Sequence, residues 1–160
     1  MREFMQLQHE AVSKIKLAEH MLTQTYPLIK DPKLLLAVVK DVSSALDGSM
    51  SSLLNLELKY KKIPVFENTF EGKYNAFRYH VIDRCNINRE FLLLIKDVQA
   101  IIIAHNKSPV EFARKGKFVI CATNYSMQEI TPDKLRRYIN QTKEFISIIN
   151  NVVNKYGRII

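Results

Sequence analysis

Leu35, Val39, Val42, Leu46, Ser49, Leu53 and Leu56 keep one helical phase from "DPKLLL" to "KKIPVF", and this unbroken run limits the available folds more than any other feature. A helix of about 31 residues is roughly 45 Å long at 1.5 Å per residue, so only other long helices can cover its apolar face. The chain supplies them. Phe4, Leu7, Ala11, Ile15, Ala18 and Leu22 recur at spacings of three and four before it. After it, Phe70, Tyr74, Phe77 and Val81 mark a shorter helix, and Phe91, Ile95, Val98 and Ile102 mark a longer one. Leu135, Tyr138, Thr142, Phe145, Ile149, Val152 and Tyr156 form the inner face of a last helix. The expected fold is therefore mainly all-α: one domain over residues 1–160, built as an antiparallel bundle of four long helices.

Boundary residues agree with this reading. Asp31 before Pro32 and Thr131 before Pro132 combine a side-chain cap with a proline whose missing N–H would have no partner in a first turn. Asn88 is placed to cap the helix that follows, and Ile130 and Leu135 are spaced to staple the entry of the last one. Ser44, Gly48 and Ser52 form a stripe of small residues that suits close helix packing, within the fold or across a dimer.

The segment "HNKSPVEFARKGKFVICATNY", residues 105–125, breaks the helical rhythm. Ser108, Pro109 and Glu111 have the spacing of a capping box, which predicts a short helical turn ending near Gly116. "KFVICA" and "YSMQEI" then read as a small β-hairpin turning at Thr123 and Asn124 before the last helix. A two-stranded ribbon is marginal alone in water, so it must lean on the bundle or on a partner.

Charge narrows the choice of partner. The net charge is +8, and residues 81–160 carry thirteen Lys and Arg against seven Asp and Glu, which favours anions such as nucleic acid. Lys107, Arg114, Lys115 and Lys117 lie among Phe112, Phe118 and Tyr125, a mixture suited to phosphates and unstacked bases, and Arg136 and Arg137 extend it. Arg78, Arg84 and Arg89 join if their corner folds nearby. His105 is the one group in the segment able to move a proton near neutrality, so an enzyme built here would be a metal-independent ribonuclease. The competing expectation for His105 is a bundle-edge position with a ring nitrogen tied to a backbone group.

Other chemistry finds no motif. There is neither a Gly-x-Gly-x-x-Gly nor a Walker lysine pattern, so no cofactor is expected, and His9, His20, His80 and His105 lack companions at metal-ligand spacing. Cys85 and Cys121, 36 positions apart, form no disulfide framework. No apolar run reaches membrane-spanning length, and "MREFMQLQHE" lacks the apolar centre of a signal peptide, so a cytoplasmic protein without membrane contact is expected.

"TYPLIKDP", "LLLAVVKDVSSALDGSMSSLL" and "HNKSPVEFARKGKFVI" together resemble a group of small uncharacterised archaeal helical proteins. Their plan is in turn similar to the HEPN superfamily, the "higher eukaryotes and prokaryotes nucleotide-binding" bundles. That resemblance implies a homodimer that binds RNA, and cutting members carry Arg, four to six residues, then His. Here Arg2 and His9 match that spacing, and no arginine stands so before His105. Members without the motif act as binding modules. The alternative function is a noncatalytic protein-interaction or homo-oligomeric module that docks through the helices or the ribbon edge.

Overall fold

A computed structural model describes residues 2–108, 110–121 and 126–159. The first amphipathic run forms α1 (Arg2–His20), a π turn (Met21–Thr25) and a short α2 (Tyr26–Ile29), ending where Lys30 turns left-handed at φ 56°. Asp31 then accepts from the Lys33 N–H at 3.0 Å and opens α3 (Lys33–Lys59), the 27-residue helix whose periodicity dominates the sequence. Thr69 caps α4 (Phe70–Ala76), which runs into a second π turn (Phe77–Val81), and Asn88 accepts from the Glu90 N–H at the start of α5 (Glu90–Lys107). Three strands follow, β1 (Val110–Arg114), β2 (Lys117–Cys121) and β3 (Met127–Ile130), before α6 (Pro132–Ile159). The protein is mainly helical with one small antiparallel sheet.

Cross-contacts give the helix directions. Gln8 bonds Asn150 and Glu19 pairs with Lys143, so α1 runs antiparallel to α6. Glu3 bonds Asn55, while Gly48 faces Leu7 and Ala11, so α1 also runs antiparallel to α3. α3 and α6 therefore lie parallel, with their C-terminal ends together where Tyr156 meets Glu57. Val39, Val42, Leu46 and Leu53 of α3, Ile95 and Val98 of α5, and Leu135, Phe145 and Ile149 of α6 share one buried core.

Gly48 explains the small-residue stripe. A Cβ there would sit 3.4 Å from the Leu7 carbonyl oxygen and 3.5 Å from the Ala11 Cβ, so glycine lets α1 approach the α3 backbone. Ser52 is buried as well, whereas Ser44 is exposed, and the packing at Gly48 lies inside the fold. Among the described residues, no helix is long and apolar enough to cross a membrane.

One local expectation is corrected: Val110–Arg114 is a strand, not a helical turn. The Ser108 Oγ, expected to cap a helix, instead lies 2.7 Å from the Val110 carbonyl and 2.8 Å from the Cys121 carbonyl and closes the open end of the β1–β2 hairpin. Glu111, the other half of the supposed capping box, reaches His105. Lys115 and Gly116 both have positive φ, 36° and 77°, which makes a two-residue hairpin turn between Arg114 and Lys117. Pairing with the buried β2 outweighs the local helix signal, so the ribbon has three strands in the order β1-β2-β3. Pro109, the Thr123–Asn124 turn and Tyr125 lie outside the described residues.

Candidate nucleic-acid interface

Strand register sorts the basic segment onto two faces. Phe118 and Ile120 of β2 and Ile130 of β3 are buried against the helices, and Glu111 and Ala113 pair on that same inner face. Val110, Phe112, Arg114, Lys117, Cys121, Met127 and Glu129 alternate onto the outer face. Val110, Phe112 and Met127 are exposed there, and Val119 is sheltered among them. An exposed aromatic ring thus shares a face with Arg114, next to the Lys115 turn. Lys117 is partly engaged, its Nζ 3.0 Å from the Glu129 carboxylate across the β2–β3 pair. The hairpin tip rests on the helices, where the Tyr26 hydroxyl meets the Gly116 carbonyl at 3.5 Å.

α6 starts beside this tip, because Phe118 pairs with Ile130 and Pro132 follows directly. Thr131 accepts from the Lys134 N–H, the cap its sequence position implies. Lys134, Arg137 and Tyr138 then fall on one helical face and line a polar recess of about 270 Å³ with Asp97, Ala100 and Gln128. Partial burial pushes the Lys134 ammonium below the usual lysine range, and the Arg137 charge adds to this, while Asp97 and Glu129 oppose it. Burial, then Asp97, pushes the Tyr138 phenol up, so it stays a hydrogen-bond donor. Arg136 turns the other way, toward Asp133 at 2.5 Å. Neighbouring arginines in sequence therefore serve different surroundings, and Lys134, which the sequence reading passed over, belongs to the recess. Its spacing to Arg137 and Tyr138, three and four residues, was the available signal.

Lys117 and Lys134 meet at Glu129, Arg114 and Lys115 belong to the hairpin tip that Lys117 closes, and Arg136 and Arg137 belong to the same first turns of α6 as Lys134, with Asp97, Glu129 and Asp133 the carboxylates beside them. Two other sequence candidates stand apart. His105, with a quarter of its side chain exposed, places Nδ1 2.7 Å from the Glu111 carboxylate on the inner side of the ribbon, away from Arg114. Its partner is a side chain, not the backbone group expected. Lys107 is exposed at the opposite end of β1, about 13 Å of strand from Arg114.

Arg78, Arg84 and Arg89 do not extend the patch. Arg84 contacts the Tyr156 hydroxyl near the end of α6, about 36 Å along that helix from Pro132. There it closes a different cluster. Glu57, with no exposed side chain, accepts from the Tyr156 hydroxyl at 2.8 Å and from the Cys85 thiol at 3.6 Å, and its Oε2 lies 3.0 Å from the Arg84 guanidinium. That last contact is an ion pair without an aligned hydrogen bond. Burial, then the Glu57 charge, pushes the Cys85 thiol up. Tyr60 stacks on Tyr156, and Lys62 sits 4.1 Å over the same ring. This cluster ties the ends of α3 and α6 to the turn after the second π segment.

Among the described residues, no three His, Cys, Asp or Glu side chains converge as metal ligands. Comparison with known proteins adds no relative: no family model matches the chain, and neither a curated protein nor a solved structure matches it.

Proposed function

We propose that the protein binds single-stranded RNA without cutting it, on the surface formed by the outer sheet face, the β1–β2 tip and the first turns of α6. The observation that carries this reading is the recess where Lys134 and Arg137 converge with Gln128 and Tyr138. A phosphate seated there adds to the Asp97 and Glu129 carboxylates in offsetting the partial desolvation of Lys134 and its repulsion with Arg137. Arg114 and Lys115 then track neighbouring phosphates, and Phe112 offers a ring face to an unstacked base.

Cleavage gains no support from its one proton-transfer candidate: His105 faces Glu111 on the inner side of the ribbon, opposite the face that carries Phe112 and Arg114. The Arg-to-His spacing of cutting HEPN members falls on Arg2 and His9 in the first half of α1, which runs antiparallel to α6 and so begins at the bundle end away from the sheet. The likeness to HEPN bundles therefore favours a binding member. The protein-docking reading loses one argument, since the groove at Gly48 is filled by α1.

Fluorescence anisotropy with a short labelled oligoribonucleotide tests the proposal. Four phosphate contacts, one each from Arg114, Lys115, Lys134 and Arg137, give a logarithmic salt slope of about −2.8, or roughly a 50-fold loss of affinity between about 50 and 200 mM salt. The double variant Lys134→Ala/Arg137→Ala should halve that slope. Binding that ignores both salt and the substitutions defeats the proposal.

A further inference from the structure

The two edges of the small sheet are treated differently by the fold. Lys115 and Gly116 form a two-residue turn, so Arg114 and Lys117 are a hydrogen-bonded pair, and bonding toward β2 then falls on Val110, Phe112 and Arg114. The backbone groups of Glu111 and Ala113 consequently point out of the sheet, and no hydrogen-bond partner meets them among the described residues. The same parity, carried across β2, turns the Glu129 backbone out of the β3 edge, and there the Lys134 ammonium does meet it, 3.3 Å from the Glu129 carbonyl. The β3 edge is guarded; the β1 edge is open. Four of the five β1 residues are exposed, including Val110 at 52% and Phe112 at 38%.

We infer that β1 pairs antiparallel with β1 of a second copy of this chain across a two-fold axis through Phe112. In that register Glu111 faces the partner's Ala113 and Ala113 faces the partner's Glu111. Both are positions with outward N–H and C=O groups, so four hydrogen bonds form and no outward group between them is left over. The side-chain pairs are Phe112 with the partner's Phe112 and Val110 with the partner's Arg114. Charge supports self-pairing: β1 carries its carboxylate, Glu111, near its start and its cations, Arg114 and the adjoining Lys115, at its end. Glu111 and Arg114 lie on opposite faces, so no cross-strand ion pair forms, but along the strands an antiparallel copy brings Glu111 nearer the partner's Arg114 than the partner's Glu111 and holds the two Arg114 side chains about 13 Å apart. Five residues per strand make a contact well below standard interface size, so the dimer is weak and concentration-dependent. Its outer face would be one six-stranded surface, but the inference stands on the edge geometry and not on RNA binding.

Sedimentation equilibrium of the full chain from low micromolar to about millimolar concentration reads this directly. The wild type should show a reversible monomer–dimer equilibrium. Ala113→Pro, which removes an outward N–H and leaves the β1–β2 ladder intact, should be monomeric with an unchanged circular dichroism spectrum. Two further variants carry the test if the proline disturbs folding. Val110→Glu faces the partner's Arg114 twice in the dimer and should tighten it about fivefold; Val110→Lys should loosen it by about as much. A chain monomeric at every concentration overturns the inference and leaves the edge to some other partner. So does a dimer that survives Ala113→Pro, or a pair of Val110 variants that shift the equilibrium in the same direction.

Discussion

Replacing Arg84 by alanine should destabilise the protein more than neutralising the carboxylate it faces. Glu57 has no exposed side-chain surface, so without Arg84 its charge keeps only the Tyr156 hydroxyl at 2.8 Å and the weaker Cys85 thiol as donors. Stranding a buried charge in this way costs about 3–5 kcal/mol. For a chain of this size that is a fall in Tm of about 10 °C or more, and a large share of the 5–15 kcal/mol about which domains are usually stable. Glu57→Gln leaves the opposite remainder. The Arg84 side chain is 41% exposed and can hydrate, and the amide oxygen still accepts from Tyr156, so the cost should be about 1–2 kcal/mol. Arg84→Ala combined with Glu57→Gln should then be more stable than Arg84→Ala alone. Urea denaturation followed by circular dichroism measures all three. Arg84→Ala within about 1 kcal/mol of wild type, or Glu57→Gln as the costlier single change, refutes the reasoning.

Gly48→Ala should stay within about 1 kcal/mol of wild type, because its Cβ meets α1 at ordinary contact distance and helix propensity rises, whereas Gly48→Leu should cost about 1–3 kcal/mol by forcing α1 away. Thermal melts of the two variants check this, and equal stability would mean that α1 does not pack there. Lys134 should leave a signature in the alkaline pH dependence. Its folded-state pKa lies below the ordinary lysine value of 10.5, so on the approach to that value the unfolded chain binds more protons and stability rises with pH. Lys134→Met should remove that rise when stability is compared across the alkaline range; an identical pH profile for the two proteins contradicts it.

The helices were legible because periodicity and caps are local: Asp31, Asn88 and Thr131 each bond the backbone N–H that their sequence position implied. β1 was not legible, since Ser108 and Glu111 mimic a capping box and only pairing with β2, a nonlocal event, commits "VEFAR" to a strand. The candidate site was readable in composition and unreadable in placement. Lys117 and Lys134 come together at Glu129 only through the β2–β3 pairing, and Arg84 is kept from them by the course of the chain between α4 and α5, which carries it to the far end of α6. Lys134 was hidden among adjacent charges until the helix face gave it Arg137 and Tyr138 as neighbours. The cluster around Glu57 gave no advance sign, because its members come from three segments that packing alone brings together.

Amide chemical-shift mapping of the full chain, titrated with a short single-stranded oligoribonucleotide at low salt, tests the proposed binding surface most directly. The shifts should concentrate in residues 112–117 and 128–138, around the sheet tip and the recess of Lys134 and Arg137. Shifts centred instead on residues 59–62 and Arg84 at the opposite end, or no shifts at all, would contradict it.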